Sequence, residues 1–250
     1  MIFSEIKWPY LFKKTYFRIC SGSVCNVGHH VSINNSRIIA VNDSIIEIAN
    51  NVVIDNATIF VDGGKFIIGE HSIIRGDLNP VLINIEEGET HIGHHSKVSA
   101  KRFWIRFGGI LRIGNYTNIN NGSEVRCDES ISIGSYNQIS YDINIWDTNT
   151  HNILPVEDRR RVAEKYFPYF GKETNRPLTK PVVIGDDCWI GERASILKGS
   201  IIGNDTIVGY NTLIVGKQIP ANSTVVNNID LQIIQRDNCP MGQLFGIIDI

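Results

Sequence analysis

His151 is the histidine of this chain that lies where a regular spacing of aliphatic residues ends and an irregular segment begins. A neutral imidazole can accept a proton near neutral pH, and general-base catalysis of this kind accelerates reactions by roughly 10²–10⁴-fold. We therefore interpret His151 as a candidate base, with a loop histidine bound to the backbone as the alternative. Asp147, four residues upstream, would orient the ring or hold a substrate, or else cap a turn.

The elements around these residues follow a period of six residues. Aliphatic side chains recur at this interval over 184–214, with Pro220 and then Val226 at the next two positions, and glycine often follows them. Leu197 and Val215 replace the glycine at two places that are eighteen residues apart. If six residues form one flat side, three sides close a triangular turn of eighteen residues. The spacing therefore predicts an all-β solenoid, a parallel β-helix, because an α-helix would need apolar recurrence at three and four residues.

The period is kept less strictly before residue 184, in runs from Ile113 to Val125 and from Ile133 to Ile145. Irregular early coils with inserted loops are normal in solenoids. We predict one solenoid domain with short flanking segments. These are an N-terminal cap at residues 1–24, the β-helix at 25–228 with a loop insertion at 152–182, and a C-terminal tail at 229–250.

The composition excludes several functional classes. The formal net charge of −2 lacks the basic excess of a nucleic-acid-binding protein, and 42% hydrophobic residues suffice for a large core. The five cysteines have no metal-ligand spacing, which predicts reduced thiols in the cytoplasm and no bound metal. We expect neither a bilayer-spanning segment nor a signal peptide. Lysines and aromatic residues before Cys20 fit a packed cap, with peripheral proximity to a membrane as the alternative.

Two further stretches carry a family resemblance. Residues 180–191 read KPVVIGDDCWIG and residues 194–199 read ASILKG. They resemble the hexapeptide-repeat acyltransferases, and in particular the VWIG…ILKG signature of the branch that acetylates sugar hydroxyls, which includes galactoside, maltose, sialic acid and capsule O-acetyltransferases. The resemblance implies a left-handed parallel β-helix, acetyl-CoA as the donor and a homotrimer with three equal clefts.

Residues 145–153, IWDTNTHNI, are similar to the D-T-D-x-H-x-I segment that carries the catalytic histidine in polysialic acid and capsule O-acetyltransferases. The resemblance makes His151 the base of an O-acetyltransferase that acts on a sugar of a bacterial surface polysaccharide, such as a capsule, sialic acid or lipopolysaccharide unit. The acetyl group would move directly in a ternary complex. Trp189 would lie at the catalytic cleft, with packing in the trimer interface as the alternative.

The remaining expectations concern the two substrates. The phosphates of CoA require cations, and the tetrahedral intermediate requires a donor such as the N–H of Gly191. The insertion is rich in arginine and aromatic residues, which fits an acceptor loop. The predicted cofactor-binding residues are Gly191, Lys198, Gly209, Lys217 and Arg236. The predicted acceptor-binding residues are Asn120, Asn121, Trp146 and Asn149.

Three different functions also fit parts of the sequence. Arg75-Gly76-Asp77 followed by His91, His94 and His95 resembles the γ-class carbonic anhydrases, which hold zinc through three histidines. The H-x-x-x-x-H pair of that family is missing from this chain. The same fold would also suit an N-acetyltransferase acting on an amino sugar, or a scaffold without activity. Zinc content would identify the zinc enzyme, and CoA binding would exclude the scaffold.

Overall fold

The computed structural model describes residues 11–20, 22–169, 173 and 175–228. Within these residues one helix, α1 (Val156–Tyr166), lies late in the chain, and the other elements are short strands. The strands, in chain order, are β1 (Leu11–Lys13), β2 (Tyr16–Ile19), β3 (Val24–Val27), β4 (Ser32–Asn34), β5 (Arg37–Val41), β6 (Ile45–Ile48), β7 (Val53–Asp55), β8 (Ala57–Asp62), β9 (Lys65–Ile68), β10 (Ile73–Arg75), β11 (Val81–Glu86), β12 (Glu89–Ile92), β13 (Lys97–Val98), β14 (Arg102–Ile105), β15 (Ile110–Ile113), β16 (Asn118–Ile119), β17 (Glu124–Cys127), β18 (Ser130–Ile133), β19 (Gln138–Ile139), β20 (Asn144–Trp146), β21 (Val182–Ile184), β22 (Trp189–Ile190), β23 (Ser195–Leu197), β24 (Ile201–Ile202), β25 (Ile207–Val208), β26 (Leu213–Val215), β27 (Gln218–Ile219) and β28 (Thr224–Val225).

These strands form three parallel sheets in which each strand pairs with the strand three places along the chain. Sheet A starts with β1, sheet B with β2 and sheet C with β3, so each turn contributes one strand to every sheet. The predicted fold class, an all-β, left-handed parallel β-helix, is confirmed. We name the corners of a turn by the sheets that they join, as the A–B, B–C and C–A corners.

The length of a turn changes along the solenoid. In the later turns the register advances by eighteen residues, and Leu197 pairs with Val215 on sheet B, as the spacing predicted. In the first half a turn takes 20 to 24 residues, the longest running from Ile73 to Lys97. The early turns are longer because their sheet B and sheet C strands have four to six residues, and the longest turn also contains the five-residue link 76–80 between β10 and β11. The eighteen-residue turn is therefore a property of the later turns, whereas the spacing of six also holds within the earlier runs from Ile113 to Val125 and from Ile133 to Ile145, whose aliphatic members are all buried.

The last turn is shorter than predicted. Ile202 pairs with Ile219, an advance of seventeen residues, and Val225 packs against the core while Val226 is 67% exposed. Ile219 and Val225 thus take the inward positions that the period of six assigned to Pro220 and Val226. The physical reason is the last B–C corner, which has two residues between its strands where the preceding corner has three.

The inward side chains form one continuous apolar core. The aliphatic residues of the predicted series from 184 to 214 are at most 3% exposed, and the outward residues between them are much more accessible. This alternation is expected because successive side chains of a strand point to opposite faces. Phe66 and Phe103 are fully buried in the first half, where the longer turns enclose more space.

The C–A corners require glycine because a side chain there would clash with the backbone of the next turn, and not because the glycine has a positive φ. A Cβ atom on Gly185 would lie 2.7 Å from the backbone nitrogen of Asn204, and one on Gly134 would lie 2.6 Å from the carbonyl oxygen of Gly185. Positive φ occurs two residues later, as at Asp187 with 59°. Between them Asp186 donates its N–H to Oδ1 of Asn204 at 3.0 Å. Corner side chains of one turn therefore cap the backbone of the turn before it.

The predicted flanking segments meet the solenoid in different ways. Strand β1 pairs with β4 and β2 pairs with β5, so the described residues from Leu11 onward already belong to the sheets. The insertion contains α1, in which no side chain is fully buried. Among the described residues, no helix has the length and hydrophobicity needed to cross a bilayer. The domain limits at residues 24 and 228 stay a prediction.

Ile201 and Ile202 of β24 provide a test of the core. Ile202 is 1% exposed and Ile201 is 40% exposed. We expect Ile202→Ala to lower the free energy of unfolding by about 2–4 kcal/mol, because it leaves a cavity between stacked turns. The matched control Ile201→Ala should cost less than about 1 kcal/mol. Urea unfolding followed by circular dichroism measures both, and equal losses would contradict the assigned faces.

Candidate active site

His151 lies on a segment that leaves the solenoid at a B–C corner. The chain departs after β20 and returns at β21, and from here on the insertion denotes all the residues between these strands, 147–181, instead of the predicted 152–182. Two backbone hydrogen bonds close its base, from Lys180 to Asp147 at 2.9 Å and from Asn149 to Leu178 at 3.0 Å. The His151 side chain is 57% exposed. An imidazole that is both accessible and anchored to a rigid corner can meet a substrate.

Glu173 is the hydrogen-bonding partner of the His151 ring. Its Oε1 lies 3.0 Å from Nδ1 of His151, and its Oε2 accepts a hydrogen bond from the Asn152 side chain at 2.8 Å. Because a carboxylate accepts, the neutral ring would carry its proton on Nδ1, which leaves Nε2 as the acceptor. The pair is therefore a histidine–carboxylate dyad. The sequence does not indicate Glu173, since nothing in a spacing of 22 residues predicts contact with His151.

Asp147 does not orient His151, which corrects the predicted role. The Asp147 carboxylate is fully buried and accepts the backbone N–H groups of Asp128, Glu129 and Ser130 at 2.7–2.8 Å. Burial raises the pKa of Asp147 above its ordinary value, although the three N–H donors act in the opposite direction. Both oxygen atoms are used to cap the neighbouring B–C corner. The structure therefore matches the alternative, a turn-capping aspartate.

A buried ion pair holds the backbone next to His151. The guanidinium of Arg106 forms two hydrogen bonds with Asp128, at 2.9 and 2.7 Å, and donates to the carbonyl of Thr150 at 3.2 Å. Asp128 also accepts the Thr148 hydroxyl at 2.6 Å. Thr150 has a φ of 67°, which is strained for a β-branched residue. The ion pair therefore stabilises the conformation from which His151 projects. The sequence does not indicate either of its members.

Trp189 lies on a different side of the solenoid from His151. It projects from sheet A between Gln138 and Ile207 and is 57% exposed. His151 follows a B–C corner, and the width of a sheet separates that corner from the side chain of Trp189. One chain therefore does not bring the two predicted catalytic residues together.

The predicted cofactor residues fall on two corners. Lys198 and Lys217 lie at successive B–C corners next to the insertion, offset from each other because the second corner is one residue shorter, and Lys180 lies one turn before Lys198; we call these three residues the lysine column. Gly191 and Gly209 lie at A–B corners, where their N–H groups donate to the carbonyls of the following turn at 2.7 and 2.8 Å. The expectation that the Gly191 N–H binds an oxyanion is therefore corrected, because that donor is already paired. Arg236 lies outside the described residues.

The predicted acceptor residues are also divided. Trp146 ends β20, and Asn149 lies inside the insertion, where its carbonyl accepts the N–H of His151 at 2.7 Å. Both are therefore close to the candidate base along the chain. Asn120 and Asn121 lie at an A–B corner, where Oδ1 of Asn121 accepts the N–H of Gly122 at 2.9 Å. In one chain they stabilise a turn on the far side of sheet B.

The residues considered for zinc are spread over two parts of the solenoid. His91 projects from sheet C with its Nε2 2.7 Å from Glu89, whereas His94 and His95 lie at a C–A corner. Within the described part of the chain, no three histidine, cysteine or carboxylate side chains are placed to hold a metal ion.

The described cysteines are free thiols without exposed positions suited to nucleophilic attack. Burial raises the pKa of Cys25 to about 11 and also raises the pKa of Cys127 and Cys188. The Sγ atom of Cys188 donates to the carbonyl of Gly203 at 3.2 Å, so this thiol packs in a corner. Each of these three thiols is held in its protonated, unreactive form.

The Arg106–Asp128 pair generates a stability prediction. We expect Asp128→Asn to lower the free energy of unfolding by about 3–5 kcal/mol, because it leaves the Arg106 charge buried without a counter-charge. The control is Asp55→Asn, which removes an ion pair with Arg75 whose two side chains are 40% and 44% exposed, and it should cost less than about 1 kcal/mol. Thermal unfolding measures both. A similar decrease for the two variants would contradict a special role of the buried pair.

The fold and its repeat can be compared with known proteins. A family model described as the bacterial transferase hexapeptide, with six repeats, matches residues 181–216. The sequence matches no curated protein. Solved structures with some similarity include the polySia-specific acetyltransferase NeuO, with 19% identity, coverage of 88% of this chain and 81% of that chain, and a TM-score of 0.40. A hexapeptide-repeat acetyltransferase from Vibrio cholerae has 26% identity, coverage of 54% and 66%, and a TM-score of 0.40.

The polysialic acid O-acetyltransferase OatWY has 17% identity, coverage of 90% of this chain and 93% of that chain, and a TM-score of 0.32. The family model supplies the assignment, because it matches the turns whose period is six residues. Its matched segment contains β21 to β26, which occupy all three sheets. The chain is therefore a parallel β-helix protein that carries the bacterial transferase hexapeptide repeat, as the sequence predicted.

Proposed function

We propose that this chain is an acyltransferase that moves an acetyl group from acetyl-CoA to a sugar hydroxyl of a bacterial surface polysaccharide. The observation that carries the proposal is the His151–Glu173 dyad, which presents an accessible imidazole beside the turns that match the transferase repeat. The free thiols of the described cysteines fit the predicted cytoplasmic location.

The dyad suits direct transfer to an alcohol. With Nδ1 bound to Glu173, Nε2 of His151 takes the hydroxyl proton as the sugar oxygen attacks the thioester carbonyl carbon. The tetrahedral intermediate then collapses, the carbon–sulfur bond breaks, and the imidazolium returns the proton to the CoA thiolate. The Glu173 carboxylate stabilises the imidazolium between these steps. The acetyl group never bonds to the protein.

The column of lysines at the B–C corners is the proposed site for the phosphates of CoA. Lys180, Lys198 and Lys217 come from successive turns, so their Cα atoms lie roughly 5 Å apart along the axis. A row of ammonium groups at this spacing fits a pyrophosphate and a separate phosphate monoester. The row begins at the base of the insertion that holds His151, so an extended CoA would have its thioester near the base.

A homotrimer would complete the site. In one chain the dyad and the lysine column share a corner, whereas Trp189 projects from sheet A. A neighbouring chain that turns its sheet A toward this corner would add Trp189, and threefold symmetry would form three equal clefts. The exposed residues around Trp189, such as Ile207 at 42% and Tyr210 at 61%, would then be partly covered.

The base is tested by substitution. We expect His151→Ala to lower kcat by roughly 10²–10⁴-fold, with acetyl-CoA affinity almost unchanged because the imidazole acts on the acceptor. Glu173→Gln should cost less, since it weakens orientation and keeps the base. CoA release in a screen of neutral, anionic and amino sugars measures the activity of both variants. His94→Ala, at a C–A corner, is the matched control, and activity of His151→Ala within a few-fold of the wild type would remove the dyad from the mechanism.

The shared cleft is tested by mixing two inactive chains. His151→Ala and Trp189→Ala trimers should each be impaired, and co-expression of the two should restore activity, because some clefts then combine an intact His151 with an intact Trp189. Co-expression of Trp189→Ala with itself under two different tags is the control. Light scattering should give three chains per particle. A monomeric particle mass would contradict the shared site. So would isolated mixed trimers that show no more acetyl-transfer activity than either variant alone.

The lysine column is tested through CoA binding. We expect Lys217→Ala to weaken acetyl-CoA binding by about 1–3 kcal/mol, the scale of a lost charge-assisted hydrogen bond. Lys101→Ala, which removes a lysine at an A–B corner, should leave the affinity unchanged. Titration calorimetry measures both dissociation constants. Equal affinities of Lys217→Ala and the wild type would exclude Lys217 from the site.

A further inference from the structure

We propose that the outer face of sheet B binds an anionic polysaccharide and guides it to His151. This inference rests on the proposed function and deepens it, since it assigns a polymeric, acidic acceptor to the same site. The surface consists of five side chains on three consecutive strands, and we call it the tryptophan–arginine face. Its members are Arg102 and Trp104 of β14, Glu124 and Arg126 of β17, and Trp146 of β20.

The rings and guanidinium groups of this face alternate along the solenoid. Trp104 pairs with Arg126 and Arg126 pairs with Trp146 in the sheet register. The Arg126 guanidinium lies 4.2 Å from the Trp146 ring centroid and 5.8 Å from that of Trp104. Two turns separate the tryptophans, which is about 10 Å. Aromatic rings pack against the apolar faces of sugars, and guanidinium groups pair with carboxylates, so this alternation fits an acidic glycan.

The charges of the face are not balanced. Oε1 of Glu124 accepts hydrogen bonds from Arg102, at 2.7 Å, and from Arg126. Burial alone would raise the pKa of Glu124, but the two arginines hold that pKa below its ordinary value, so the carboxyl is ionised. One carboxylate thus forms ion pairs with two guanidinium groups, while Arg106 forms a separate ion pair with Asp128. A second carboxylate, from a ligand, would complete the pairing.

Two hydrogen-bond donors on the face are also unused. Nε of Arg102 and Nε1 of Trp146 are buried and have no hydrogen-bond partner among the described residues. Buried N–H groups are nearly always paired in native proteins, so an unpaired donor needs an explanation. The two donors lie at opposite ends of one surface, so a side-chain shift that exposes them would let the hydroxyl and carboxylate oxygens of a bound glycan accept from both. This observation is independent of the charge count.

The face extends well beyond the size of one sugar. A depression of about 330 Å³ continues it away from the insertion and is lined by residues that include Phe60, Leu82, Asn84 and Trp104. The register connects Phe60 to Asn84 and Asn84 to Trp104. From Phe60 to Trp146 the surface therefore crosses four turn spacings, or about 19 Å. The far rim contains Glu86, so the excess positive charge lies at the end nearest His151.

One contact joins this face to the candidate base. Arg126 donates from Nη1 to the Thr150 hydroxyl at 3.1 Å, and Thr150 directly precedes His151. A polymer on the tryptophan–arginine face would therefore reach the dyad without crossing a corner. Because several sugars bind at once, affinity should increase with chain length, whereas a single sugar would use only the end beside His151.

The test measures polymer binding without acetyl-CoA. The probes are long and trimeric fractions of an α-linked sialic acid polymer, polygalacturonate as a second acidic polymer, and neutral dextran, each in affinity electrophoresis with the full-length protein. We expect at least one long acidic polymer to retard the wild type, and its trimer and dextran to have little effect. Trp104→Ala and Arg102→Ala should each weaken that retardation about tenfold, and Trp104→Phe should weaken it less. Arg112→Ala, an arginine of the same turn on sheet C, should bind as the wild type does.

The outcomes separate this inference from the proposed function. His151→Ala should still bind the polymer, since the face lies outside the dyad, so its loss of acetyl transfer tests only the mechanism. In active protein, Trp104→Ala should raise KM for the long acceptor and leave kcat and the KM for the trimer unchanged. Retardation by neither acidic polymer, equal retardation by dextran, or unchanged binding by Trp104→Ala and Arg102→Ala would overturn the inference. A change of particle mass in Trp104→Ala would instead make the face an interface between copies, which also overturns it.

Discussion

The pairing of each turn with the next is the constraint on which the rest of this structure depends. Every interior strand is hydrogen-bonded to the strands one turn before and one turn after it. A corner must therefore stack directly on the next corner, and there is no room for a Cβ atom at positions such as Gly134 and Gly185. The same stacking places side chains of successive turns in columns along the axis. The tryptophan–arginine face is a consequence of this register, whereas the shorter last corner offsets Lys217 from Lys198.

The insertion is compatible with that constraint because it leaves and rejoins at one B–C corner. Asn144 pairs with Ser195 across an interval of 51 residues without any change in sheet order. At this corner the insertion interrupts the backbone pairing between turns, and carboxylate side chains take the place of the missing partners. Asp147 caps three N–H groups, and Asp128 pairs with Arg106 beneath Thr150. Buried acidic residues therefore stabilise the corner around His151, the candidate base, which itself stays accessible.

The location of the proposed site at a corner explains why, in this proposal, one chain would hold only part of it. A corner is convex, so a base and a column of cations on it can contact a substrate from one side only. The flat outer faces of the sheets supply such walls, either from the same chain, as sheet B does beside Thr150, or from a neighbour, as proposed for the sheet A surface with Trp189. A solenoid of this kind gains a cleft when its corner meets a face.

The sequence by itself determined the repeating part of this protein. Isoleucine and valine at every sixth position predicted inward rows, stacked turns and the pairing of Leu197 with Val215, because those features depend only on local spacing. It also located His151 at the point where the repeat stops. The spacing did not indicate that the last B–C corner, Gly216-Lys217, is one residue shorter than the corner before it. Corners of two and of three residues have no distinct sequence pattern.

Only the tertiary structure decided which groups surround His151. Glu173 reaches the imidazole across 22 residues, and Arg106 reaches Thr150 across 44, so no short-range pattern could indicate either contact. Asp147 stood nearest to His151 in the sequence, but its side chain points into the corner and caps the backbone there. Side-chain partners depend on how turns stack and on what each buried charge needs as a counter-charge. That information belongs to the folded chain and not to the spacing of residues along it.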